Sequence, residues 1–152
     1  MLEISTVGAS VKYAFEATSG TRPTSGYTVL PDVNEAPEFD LTPETIDASN
    51  ITDLITRYIP GRQDPGGDVA FTLNHTDVVI DAWDTLVTTD ATNRAQGKRL
   101  WFEYVFPGAA DSFYFAGQPV ELGSSGISQN SLSTIPAHVI VSAVEGWAAA
   151  ST

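Results

Sequence analysis

The residues best suited to chemistry in this sequence are its carboxylates, and three of them recur at a helical spacing. Asp77, Asp81 and Asp84 stand at positions i, i+4 and i+7, so one face of a helix would carry all three. A divalent cation could bridge them, but calcium takes about six to eight oxygen ligands, which a loop usually supplies. We therefore interpret the three aspartates as the solvated face of an amphipathic helix.

A second acidic group, the segment Asp64-Pro65-Gly66-Gly67-Asp68, places two carboxylates across a turn. An EF-hand loop needs acidic or amide residues at alternate positions and a terminal Glu, and this segment lacks that spacing. Its Pro and Gly content is typical of a plain turn. Paired carboxylates also hydrolyse glycosidic bonds when they lie roughly 5–10 Å apart. With nineteen acidic residues in the chain, a small hydrolase stays open as an alternative.

Nucleophilic catalysis finds little support in the sequence. The only histidines are His75 and His138, and neither stands in a motif with a serine and a carboxylate. The segment Gly123-Ser124-Ser125-Gly126 lacks the Gly-x-Ser-x-Gly spacing of an exposed nucleophile. The chain has no cysteine, which excludes disulfides, thiolate catalysis and Cys-based zinc sites. The sequence therefore predicts no enzyme activity, no metal and no cofactor.

Aromatic side chains offer one further alternative, a carbohydrate-binding β-sandwich module in which exposed rings stack on sugars. At strand and helix spacing such residues more often form a core. The aromatic residues in question are Trp83, Trp101, Phe102, Tyr104, Phe113, Tyr114 and Phe115.

The charge of the chain excludes other classes of function. Nineteen Asp and Glu face seven Lys and Arg, which gives a formal net charge of −12 at pH 7. Such a surface repels phosphate backbones and anionic membranes. The charge therefore argues against a protein that binds nucleic acid. The length of 152 residues suits one domain, 1–152. No apolar run approaches the ~18 residues of a membrane span, and the N-terminus lacks the pattern of a signal peptide. We expect a soluble intracellular chain, or one assembled into a particle inside a cell.

The elements that would position these residues are mostly short strands. Alternation of apolar and polar residues predicts strands, and the twelve glycines and nine prolines break the chain into short runs. Residues 31–43 are acidic and interrupted by proline, which indicates an edge strand or an extended loop. Both faces of the run 100–106 carry large side chains, so this strand should be covered on both sides. The predicted strands are 7–16, 28–30, 45–49, 68–74, 100–106, 112–116, 120–122 and 135–144.

Two segments have helical periodicity. Residues 77–88 place their apolar side chains in one stripe, with Thr76 or Asn74 available as the N-cap. Residues 51–58 carry a similar but shorter pattern, which favours about two helical turns. Turns are expected at Pro60-Gly61 and over 64–67. The element order predicts a mainly β fold, an antiparallel sandwich or barrel with one flanking α-helix.

In the order of these elements and in their residue patterns, the sequence resembles the major tail tube proteins of long-tailed, siphovirus-type bacteriophages. The resemblance covers roughly residues 26–147. It is carried by the segment Asp47-Ala48-Ser49-Asn50-Ile51-Thr52-Asp53, then Tyr58-Ile59-Pro60-Gly61-Arg62-Gln63-Asp64, the strand 69–73, the helix 77–88, the strand 100–106 and an ending near Glu145-Gly146-Trp147. The type VI secretion tube protein shares the implied architecture.

The resemblance implies a structural virion protein of the tail, assembled in the host cytoplasm. Six copies would form a ring, and stacked rings would form a tube through which DNA is ejected without specific binding. Partners would be other copies of the chain, the tape-measure protein and the tail-completion proteins. Ring stacking would involve the loops 19–27 and 61–68, with Arg22, Pro23, Arg62 and Asp64. Carboxylates that line a narrow channel would repel phosphates, and the acids assigned to the lumen are Glu35, Glu38, Asp40, Glu44 and Glu121.

Overall fold

A computed structural model of the chain describes residues 3–152. Nine strands and one helix are present in this part of the chain. In chain order they are β1 Ser10–Phe15, β2 Thr28–Val29, β3 Val33–Glu35, β4 Pro43–Asp47, β5 Tyr58–Gln63, β6 Asp68–Asn74, α1 Asp77–Ala95, β7 Leu100–Val105, β8 Asp111–Pro119 and β9 Thr134–Ala149. The predicted mainly β class with one helix is confirmed.

Seven of the strands form one curled antiparallel sheet in the order β2-β1-β7-β8-β9-β6-β3. The 16-residue strand β9 lies at its bend. The first half of β9 pairs with β6, from Thr134 opposite Asn74 to Ile140 opposite Asp68. Its second half pairs with β8, ending with Ala149 opposite Asp111. The pairing of β8 and β9 shifts register twice, and such irregularities bend a strand and increase its twist. The sheet therefore curls into a half-barrel.

The concave side of the sheet holds an aromatic core. Phe102 and Phe115 stack with their ring centroids 5.1 Å apart, and Phe71 lies 5.6 Å from Phe102. Phe39, from the segment after β3, covers this stack at 4.5 Å from Phe115. On the other face of the sheet Trp101 belongs to a smaller buried cluster. The predicted covering of both faces of β7 is confirmed.

The helix α1 begins where the sequence predicts and ends later. The Thr76 side chain accepts a hydrogen bond from the backbone N–H of Val79 at 3.2 Å, so Thr76 is the N-cap. Trp83 is fully buried, and its indole N–H donates to the carbonyl of Val120 at 2.8 Å. The helix continues past residue 88 to Ala95, because Asp90 is buried and paired with Arg94 one turn later. The burial of Asp90 and its i,i+4 pair with Arg94 thus offset the weak helix propensity of 89–93.

Three predicted local structures are wrong. Residues 51–58 form no helix but a turn that leads into β5, because no neighbouring surface covers their apolar side chains. Pro60-Gly61 lies inside β5 rather than in a turn. Residues 120–122 form a loop, where the Val120 carbonyl bonds to Trp83 instead of to a strand. The edge position predicted for 31–43 is confirmed, because β3 is the last strand of the sheet.

No helix in residues 3–152 is both long and apolar enough to cross a bilayer.

The bend of the sheet leaves no space at Gly117, and this gives a test of the fold. A Cβ added there would overlap Cγ1 of Val139 and lie 2.9 Å from the carbonyl oxygen of Ile140. We expect Gly117→Ala to lower the free energy of unfolding by about 1–3 kcal/mol, measured by urea denaturation. Gly123→Ala is the control, because a Cβ there meets nothing within 4 Å. Equal stability of the two variants would contradict this packing.

Candidate assembly surfaces

The strands β4 and β5 form a two-stranded hairpin separate from the main sheet, and residues 43–63 are called the arm below. Ile46 pairs with Ile59, and Asp47 pairs with Tyr58. The apolar side chains of the arm are exposed, and at the tip Ile51 and Leu54 are completely so. Six large hydrophobic side chains on one exposed hairpin form an apolar surface of the kind that marks an interaction site. They are Ile46, Ile51, Leu54, Ile55, Tyr58 and Ile59.

The tip of the arm is ordered by its own polar groups. The backbone N–H of Asn50 donates to the Asp53 carboxylate at 2.8 Å, and that of Asp53 donates to the Asn50 carbonyl at 3.1 Å. The Ser49 hydroxyl accepts from the backbone N–H of Arg57 at 2.7 Å, and the Arg57 guanidinium donates to the Ala48 carbonyl at 3.0 Å. These bonds fix the backbone, so the apolar side chains of the tip are presented by a preformed structure.

The base of the arm is fixed to the core. Leu41 packs against the buried cluster, and its carbonyl accepts a hydrogen bond from the Gln63 side chain at 2.6 Å. Gly61 allows the two strands to approach closely, because a Cβ there would lie 3.0 Å from the Glu44 carbonyl and 3.3 Å from the Ile46 side chain. The arm therefore projects from the half-barrel in a defined direction.

A cleft lies between the beginning of β1, the end of β7 and the segment after β3, with a volume of about 530 Å³. Its floor is closed by Tyr104, whose hydroxyl donates to the Pro37 carbonyl at 2.9 Å. Burial raises the pKa of Tyr104 well above its ordinary value, so this donor keeps its proton. Glu35 and Glu38 are exposed residues of the cleft lining. The apolar part of the lining includes Val11, Val33, Ala36, Pro37, Val105 and Phe106.

The five acids assigned to a lumen are all exposed but lie on different elements. Glu35 and Glu38 line the cleft, Glu44 is on the arm, and Glu121 follows the end of β8. Asp40 accepts a hydrogen bond from the backbone N–H of Thr42 at 2.9 Å, and hydrogen bonding from Thr42 lowers the pKa of Asp40. Their orientation toward a lumen stays a prediction.

The residues assigned to ring stacking fall into two groups. Arg22 is packed onto the half-barrel, where it pairs with Glu145 and lies 4.0 Å from the centroid of the Tyr114 ring. The neighbouring Pro23 accepts a hydrogen bond from the Tyr27 hydroxyl at 2.9 Å. Arg62 is instead on the arm and exposed, and Asp64 follows it in the turn before β6. A stacking role for the four residues stays a prediction.

Some of the groups considered for catalysis come together, because His75, Asp84, Ser124 and Ser125 line one open pocket of about 350 Å³, and the Ser125 hydroxyl lies 3.1 Å from that of Ser133. Asp77, Asp81 and Asp84 are exposed on α1, as predicted. His75 Nδ1 lies 2.9 Å from the Ser133 hydroxyl, and His138 Nδ1 lies 3.0 Å from the Asp68 carboxylate. Among residues 3–152, no three His, Asp or Glu side chains group closely enough to hold a metal ion.

The seven aromatic residues considered as a sugar-binding platform are core residues in this fold. Six of them are buried and Tyr104 is largely so. The large aromatic side chains that are well exposed are Tyr58 on the arm and Trp147 near the end of β9. Trp147 packs against Phe113 with a centroid distance of 5.6 Å, so it is partly held by the protein itself. This distribution does not favour a carbohydrate-binding module.

A buried carboxylate that fixes residues 149–151 was not predicted from the sequence. Glu103 of β7 is fully buried, and its oxygens accept hydrogen bonds from the backbone N–H of Ser151 at 3.1 Å and from its hydroxyl at 2.7 Å. The Tyr114 hydroxyl lies 3.2 Å from the same carboxylate and donates to the Ala149 carbonyl at 2.7 Å. Burial, the largest single influence, would raise the pKa of Glu103, but the hydrogen bonds from Ser151 and from the neighbouring hydroxyls together outweigh it and lower the pKa. The only sequence signal is a charged residue inside an aromatic strand.

The Glu103 contact predicts a pH-dependent loss of stability. An acid whose pKa is lowered by folding stabilises the folded state above its unfolded pKa, and this contribution is lost as the pH falls through the lowered value. We expect Glu103→Gln to lower the free energy of unfolding by about 1.5–3 kcal/mol at pH 7, and this difference should shrink below about pH 4. Chemical denaturation at several pH values measures it, with Glu44→Gln on the exposed arm as control. A difference that grows on acidification would contradict the assignment.

Comparison with known proteins gives a likeness of fold. No protein-family model matches the chain, and no curated protein matches it. Among solved structures, it is similar to a chain in the cryo-EM structure of the anti-feeding prophage (AFP) baseplate, obtained with sixfold symmetrisation. The sequences are 6% identical, the match covers 94% of this chain and 92% of that chain, and the TM-score is 0.53. The fold of this chain thus also occurs in that baseplate.

Proposed function

We propose that this protein is a structural subunit of a phage-type tail, in which copies assemble into sixfold rings that stack into a tube. The observation that carries the proposal is the arm, a rigid hairpin whose apolar side chains find no cover in their own chain. Such a surface is costly to expose to water, and assembly removes that cost. The fold likeness to a chain of the AFP baseplate, a sixfold-symmetrised particle, supports the choice of assembly.

The tube itself, with DNA passing through it, is the finer part of the proposal. It is supported by the net charge of −12, because an acidic channel wall repels phosphates and lets a duplex slide. The partners would then be further copies of this chain, the tape-measure protein and the tail-completion proteins. Asp40, Glu44 and Glu121 are the proposed lumen acids that lie outside the cleft lining.

Assembly is tested on the purified chain. We expect the apparent mass to rise with concentration in light scattering, and negative-stain images of concentrated samples to show rings or short tubes with sixfold averages. The physical reason is that association is driven by apolar burial and opposed by the repulsion of like-charged copies, which about 0.15 M salt screens over some 8 Å. A strictly monomeric protein at high concentration and moderate salt would remove the proposal.

The lumen is tested by charge removal on the assembled tube. The triple variant Asp40→Asn, Glu44→Gln, Glu121→Gln removes three negative charges, and we expect its tubes to retain duplex DNA that wild-type tubes release in an electrophoretic assay. The control Asp77→Asn, Asp81→Asn, Asp84→Asn removes the same charge from the exposed face of α1. Equal DNA retention by both variants would assign the effect to net charge alone and contradict the lumen assignment.

A further inference from the structure

We propose that the cleft beside Tyr104 binds an extended peptide segment of another protein, whose aliphatic side chains enter the cleft and whose Lys or Arg side chains meet its carboxylates. The cleft has a volume of about 530 Å³. The arm lies outside its lining, so this binding site is separate from the surface proposed for self-assembly, and each can exist without the other.

The cleft lies where the half-barrel is open, between the two ends of the curled sheet. One wall comes from β1 and the end of β7, and the other comes from β3 and residues 36–38. Because β3 is the last strand of the sheet, one of its two edges has no strand partner within residues 3–152. An extended peptide can add to such an edge through main-chain hydrogen bonds. This wall of the cleft therefore suits a peptide in the strand conformation.

The interior of the cleft suits aliphatic side chains. Val11 and Val33 come from opposite walls, and Val105 and Phe106 come from the end of β7. The volume falls within the range of about 300–1,000 Å³ that is typical of ligand pockets. Two or three branched side chains of a bound segment would fill this space and leave water.

The wall that contains β3 is held in place before any partner arrives. The Asn34 side-chain amide donates a hydrogen bond to the Asn74 side chain at 3.1 Å, and the Tyr104 hydroxyl donates to the Pro37 carbonyl at 2.9 Å. Phe39 then packs on the buried core. Little conformational entropy is lost when a ligand meets a preformed surface.

The charge of the cleft selects a cationic segment. Glu35 and Glu38 are exposed residues of its lining, and neither forms an ion pair within residues 3–152. The lining contains no Lys, Arg or His. A Lys or Arg side chain of a bound segment would therefore meet two carboxylates that no cation of the lining offsets.

The charge of the whole chain indicates that this segment belongs to another protein. Of the seven Lys and Arg, Arg22, Arg94 and Arg99 already pair with carboxylates of their own chain. Two copies carry −12 each and repel one another, whereas a more basic protein is attracted. The partner is therefore a protein in which Lys or Arg stands beside Val, Leu or Ile in an extended segment.

Selection from a library of random linear heptapeptides tests the site on dilute, monomeric protein. We expect the bound sequences to be enriched in Lys or Arg next to Val, Leu or Ile. The strongest binder should bind about tenfold more weakly to Glu35→Gln with Glu38→Gln, measured by fluorescence anisotropy of the labelled peptide. Asp77→Asn with Asp81→Asn is the matched control, because it removes two charges from the exposed face of α1.

Hydrogen exchange locates the bound peptide. We expect the selected peptide to slow amide exchange over residues 33–38. Ala9→Trp, at an exposed residue of the lining, should fill the cleft and abolish both the binding and the protection. Ala91→Trp places the same ring on the exposed side of α1 and should bind the peptide as the wild type does.

Three results would overturn the site: selected sequences without a cation, equal affinities for the two charge variants, or protection that lies outside residues 33–38. Protection of these residues by a rise in protein concentration alone would mean that a second copy occupies the cleft, and it would overturn the choice of partner. Because the selection uses monomeric protein, a failure to form rings leaves this test intact. A failure to bind peptides likewise leaves the proposed assembly standing.

Discussion

The pairing of β9 with two different strands is the constraint on which the rest of this structure depends. Its first part lies beside β6 and its second part beside β8, Val139 and Ile140 pair with both, and the long strand bends where the β8–β9 register shifts. The register shifts in β8 and the absence of a side chain at Gly117 permit that bend. The bend turns a flat sheet into a half-barrel, and the half-barrel encloses the Phe71, Phe102 and Phe115 rings. Phe39 packs over these rings, and the buried face of α1 adds Val79, Trp83 and Leu86 to the same core.

The arm follows, along the chain, the segment in which Phe39 packs over the core. The apolar side chains of this hairpin stay largely exposed in their own chain. Its backbone is nonetheless fixed at the base by Gln63 and at the tip by Asn50 and Asp53. A hairpin that is rigid and apolar but unburied is stable only at a cost, which a neighbouring molecule can remove. The same closing segment forms one wall of the cleft.

Whether an element could be predicted from the sequence depends on whether its apolar side chains are buried within the same chain. Strands β6 and β7 and the start of α1 were predictable because their apolar periodicity meets a surface within the same chain. Residues 51–58 have the apolar spacing of a short helix, but periodicity does not show whether their side chains are buried by the same chain or by another molecule. The end of α1 depends on the Asp90–Arg94 pair, and the fixing of the C-terminal residues depends on Glu103. The Asp90–Arg94 pair has the i,i+4 spacing of a helical ion pair, which the sequence shows, whereas the Glu103–Ser151 contact joins residues 48 apart and leaves no periodic signal. The candidate surfaces were recognised from side chains that are exposed in the folded chain, not from any sequence motif.

The distribution of the few cations gives the net charge a sharper meaning. Arg22, Arg94 and Arg99 each pair with a carboxylate of their own chain, and those of Arg94 and Arg99 are buried. The positive charge of these three arginines is therefore neutralised within the monomer. Most of the remaining acids face water and form no ion pair in the described part of the chain. Two copies then repel one another over most of their surfaces. On the arm, Arg57 and Arg62 offset two of the three carboxylates of Glu44, Asp47 and Asp53, so the repulsion is weaker there. Excess acid thus acts on assembly as well as on DNA, because it disfavours orientations that bring together surfaces on which carboxylates are not offset by cations.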